Sequence, residues 1–124
     1  MKPLHGEPAP DSEYSARAVL ELILAAMEET DAGTRTLYEF AGDGLRQRAG
    51  SLADLRRTFS NELFVPLVGA KERLVVEFDQ RNEVARALVR SGDASFLFSL
   101  ARRAYGRHPG CWLVTAVARD QAGT

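Results

Sequence analysis

Cysteine is almost missing. Cys111 is the only one in 124 residues, so no disulfide can close within the chain. That fits a reducing compartment. Histidine is nearly as scarce: His5 and His108 stand far apart. Their separation excludes Cys/His zinc spacing and leaves no Ser/His/Asp set. No apolar run approaches the roughly 18 residues needed to cross a bilayer. Met1–Pro10 contains no apolar stretch that would serve as a signal-peptide core. Neither sign of charge dominates, with 16 Lys+Arg against 17 Asp+Glu and a net charge of −1. Bulk electrostatics therefore draws the chain to neither nucleic acid nor anionic membrane. A phosphate-cradling loop is absent too, because Gly42-Asp43-Gly44 lacks the strand that must precede one. The expectation is a soluble, cytoplasmic protein with no metal, no cofactor, no nucleic-acid partner and no membrane partner.

What is present is one domain's worth of patterned chain. Residues 1–11 read as a flexible tail, since Pro3, Pro8 and Pro10 disfavour helix there. Asp11 or Ser12 caps a first helix over about 12–30, with Val19, Leu20, Ile23, Leu24 and Met27 in one stripe and Gly33 as its stop. A shorter helix starts at Thr34 or Thr36 and buries Leu37, Phe40 and Ala41. Ser51-Leu52-Ala53-Asp54 resembles a capping box and opens a third helix over about 52–62. Pro66 bars a regular helix through Phe64–Val68, which reads as a non-repetitive plug. Four apolar-rich runs follow: Glu72–Asp79, Glu83–Arg90, Ala94–Arg103 and Cys111–Arg119. Short connections between them imply an antiparallel meander, because parallel neighbours need long crossovers. Helices first and strands last give an α+β fold. The domain spans 12–119 and residues 120–124 form a polar C-terminal tail.

Helices on one face of a late antiparallel meander, with Trp112-Leu113-Val114 in the last strand, resemble the nuclear transport factor 2-like superfamily of cystatin-like α+β cones. A closer likeness lies in Tyr38-Glu39-Phe40-Ala41-Gly42-Asp43-Gly44-Leu45-Arg46 and in Phe64-Val65-Pro66-Leu67. These segments are similar to an uncharacterised prokaryotic family of domains within that superfamily. The resemblance implies three N-terminal helices packed on a curved sheet of about four strands. It implies no catalytic residues. Enzymes of the superfamily set polar residues among the apolar walls of the cone, and the histidines of its dehydratase-like members have no counterpart here.

Five residues are candidates for a cone pocket: Tyr38, Asp43, Asp79, Arg86 and Trp112. Tyr38 offers a hydroxyl to a ligand carbonyl, or packs its ring with its tip in water. Arg86 lies between Val84 and Leu88 on a strand face. It either faces solvent or needs a carboxylate such as Asp79, because an unpaired buried charge is costly. Asp43 acts as a base only if burial raises its pKa, and between two glycines it reads as a solvated turn residue. Cys111 has His108 three positions away but no third orienting group. Arg102, Arg103, Arg107 and His108 read as a solvated basic hairpin. The two-residue period leaves open which sheet face lines the cone, since one bulge reverses the assignment.

The last two strands are apolar on both faces. Phe96, Phe98, Leu100, Trp112 and Val114 share one, and Leu97, Ala101, Leu113, Thr115 and Val117 make up much of the other. A half-solvated antiparallel sheet should alternate. The second face is therefore a candidate homodimer surface. Two functions follow: a non-catalytic dimeric domain with an interaction or accessory role, or a binder of a small apolar ligand or a lyase/isomerase-type enzyme using the cone. A filled apolar interior favours the first, and an open cavity with convergent polar groups favours the second.

Overall fold

A computed structural model describes residues 9–69 and 72–120. The order is five helices followed by four strands: α1 (Ala16–Ala26), α2 (Thr30–Glu39), α3 (Asp43–Ala49), α4 (Leu52–Phe59), α5 (Val65–Gly69), then β1 (Arg73–Arg81), β2 (Val84–Ser91), β3 (Ala94–Arg102) and β4 (Trp112–Asp120). The strands form one antiparallel sheet in the order β1-β2-β3-β4. The expected α+β meander is the observed one. Ser91-Gly92-Asp93 turns β2 into β3, with Gly92 at φ 62 as a tight hairpin requires. His5 and the first eight residues of the expected tail lie outside the described residues, as do residues 121–124. Asp120 belongs to β4.

The helices differ from expectation in number and bounds. Ser15 caps α1, its hydroxyl accepting from the Ala18 N–H at 3.0 Å. α1 closes at Met27, earlier than expected, and Gly33 lies inside α2 instead of ending α1. Gly33 is there because the helices touch: a Cβ on it would sit 2.9 Å from the Met27 Cα. Ser51 and Asp54 form a full capping box at the start of α4. The plug holds one short helix, α5, with Pro66 in its first turn, where a missing N–H does no harm.

The helices bury one face of the sheet. Ala85, Ala87 and Val89 of β2 and Phe96, Phe98 and Leu100 of β3 point into this layer against Leu20, Ile23, Leu37 and Phe40. Phe40, Phe96 and Phe98 are wholly enclosed, so the interior is filled with side chains. Phe64 stacks on Phe59 with ring centroids 5.1 Å apart and reaches Phe96 at 6.0 Å, joining α4 to the sheet.

Two register shifts decide the faces. One falls between Val75 and Glu77 in β1, the other beside Thr115 in β4. Beyond the first, Phe78 turns inward while Leu74 points outward, although a strict period puts them together. Beyond the second, Val117 faces Phe98 and packs on the core. Val117 thus leaves the outward face to which its spacing from Leu113 assigned it. The extra residue in a bulge reverses every later side chain.

Candidate functional site

The polar residues of the α2–α3 elbow are gathered by the β3–β4 loop. α2 ends at Glu39, and its last carbonyls have no intrahelical donors. Two guanidinium groups fill that need. Arg46 of α3 donates from Nε to the Tyr38 carbonyl at 3.0 Å. Arg107 of the loop donates from Nε to the Ala41 carbonyl at 3.2 Å and from Nη2 to the Glu39 carbonyl at 3.1 Å. The Glu39 carboxylate lies 3.8 Å from Arg46 and 4.0 Å from Arg107. Positive charge at a helix C-terminus also opposes the helix dipole favourably.

The elbow then joins the sheet. The Gly42 N–H donates to the Val114 carbonyl at 2.9 Å, and the Val114 N–H donates to the Phe40 carbonyl at 2.7 Å. Ala41 and Val114 thereby form a one-residue parallel bridge on the outer edge of β4. Arg48 adds a bond to the Thr115 carbonyl at 2.6 Å. These contacts cover the outer edge of β4 at Val114 and Thr115, where an open strand would otherwise offer its backbone groups.

Each candidate pocket residue now has a place. Tyr38 donates its hydroxyl to the Gly50 carbonyl at 3.0 Å, and its ring lies 4.1 Å from the Arg46 guanidinium carbon. Asp43 is exposed and accepts from the Arg107 backbone N–H at 3.3 Å. Trp112 is buried in the core, with the Arg102 guanidinium 5.5 Å from its ring centre. Asp79 and Arg86 sit opposite each other on β1 and β2, both exposed on the outward face. Asp79 lies 3.4 Å from Arg81. Tyr38 and Asp43 therefore share the elbow, Trp112 belongs to the core, and Asp79 and Arg86 lie on the far side of the sheet. The five do not converge on one cavity.

A small recess of about 40 Å³ opens beside the elbow, between Asp43, Arg107, Cys111 and Leu113. Burial raises the Cys111 thiol pKa, and the Asp11 charge adds to that, so the thiol is protonated and a poor nucleophile. Among the described residues, no group of three His, Cys, Asp or Glu side chains is placed to hold a metal ion. No described helix is long and apolar enough to cross a membrane.

Other displaced pKa values belong to structural contacts. The Arg102 guanidinium donates to both Glu83 oxygens, holding that carboxyl below its ordinary range and raising its own pKa. Burial lowers the Arg73 pKa, partly offset by the Glu28 charge. Arg73 reaches the Met27 carbonyl at 2.7 Å and the Leu67 carbonyl, tying the ends of α1 and α5 to β1. Arg46, Arg73 and Arg107 are the joints that sequence reasoning missed. Nothing adjacent in the chain announces them, for their acceptors are carbonyls on other elements.

Of the outward candidates, Leu97 is 42% exposed while Leu113 is only 7% exposed. Leu113 lies against Gly42, where an added Cβ would sit 3.9 Å from the leucine's own, and beside the β3–β4 loop. Its burial within the protomer removes it as a contact residue. Ala101 and Thr115 are half-buried. Val84, next to Ala101 across the β2–β3 ladder, is 50% exposed. Comparisons with protein-family models, curated proteins and solved structures find no match.

Proposed function

We propose that this chain is a non-catalytic, nuclear transport factor 2-like domain of the cytoplasm that acts as a homodimer in an interaction or accessory role. The observation that carries the reading is the outward surface of β3 and β4. Apart from the covered Leu113, the outward positions of β3 and β4 between Leu97 and Ala118 are Leu97, Ser99, Ala101, Ala116 and Ala118, with no charge among them. Leu97 and the adjoining Val84 stand proud of it. Small uncharged residues on β3 and β4 around exposed aliphatic anchors, with Arg86 of β2 beside Ser99 at the border, suit an isologous contact with a polar rim. The filled interior and the engagement of the elbow's polar groups weigh against a ligand-binding cone.

Sedimentation velocity tests it. The wild-type chain should associate, and Leu97→Asp should remove one level of association while leaving the circular dichroism unchanged. An unaltered distribution for folded Leu97→Asp would show that this face is not the contact.

A further inference from the structure

We draw no further inference here: the strongest candidate, the outer edge of β1 with the groove it forms against α1, carries nothing, because Arg17 of that groove already pairs with Glu21 and nothing in the structure shows what covers the edge.

Discussion

Gly33 shows how little room a single atom has. Alanine is the better helix former by about 1 kcal/mol, and α2 would gain from it in isolation. Here the added methyl would meet the Met27 backbone at 2.9 Å, and backbone cannot swing aside. Gly33→Ala should therefore destabilise the protein, by about 1–3 kcal/mol as for other overpacked sites, read as a lower urea midpoint at unchanged slope. Glu83 presents the opposite situation, an exposed group whose effect is electrostatic. Its folded-state pKa lies below the ordinary value of 4.5 because Arg102 binds the carboxylate. The contribution is fully present above that value and is lost as pH falls through the lower folded-state value. Glu83→Gln should differ from wild type most at neutral pH and least in acid. The difference should also shrink in high salt, since the pair faces solvent. A thermal-denaturation series over pH checks both points.

At the scale of elements, arginine is the connector. α2 ends in carbonyls that α3 and the β3–β4 loop satisfy, and α1 and α5 end in carbonyls that β1 satisfies. The guanidinium suits this because its fixed fork reaches two acceptors at once. Arg107→Ala should cost about 1.5–3 kcal/mol, the range for hydrogen bonds from a charged donor. Hydrogen exchange should then quicken in the β3–β4 loop and in residues 40–42. Arg107→Lys should recover little, since one ammonium cannot span both the Glu39 and Ala41 carbonyls. Full recovery by lysine would show that charge alone matters at this joint.

For the whole molecule, the decisive property is that the helices pack side chains against one whole face of the sheet. Phe98 lies at the centre of that layer and is wholly buried. Phe98→Ala should cost about 3–5 kcal/mol, through lost burial and the cavity left behind. The variant's urea transition should move to lower concentration without losing cooperativity. A loss under about 1 kcal/mol would mean that the core can collapse around the gap, and that it is less tightly packed than these contacts require.

The elements and their order are written in the chain. Period-two runs separated by turn residues specify four antiparallel strands, and Ser51 with Asp54 specifies the start of α4, because these signals act within a few residues. Tyr38 and Asp43 are legible as neighbours on one short stretch, but their roles are not. Folding places Gly33 between helices, covers Leu113 with Gly42, turns Val117 to the core and brings Arg107 to the end of α2. Each of these depends on a partner distant in the chain or on a bulge that reverses a face. Local pattern fixes backbone conformation. Which groups meet is fixed by packing, where one extra residue or one missing Cβ changes the answer.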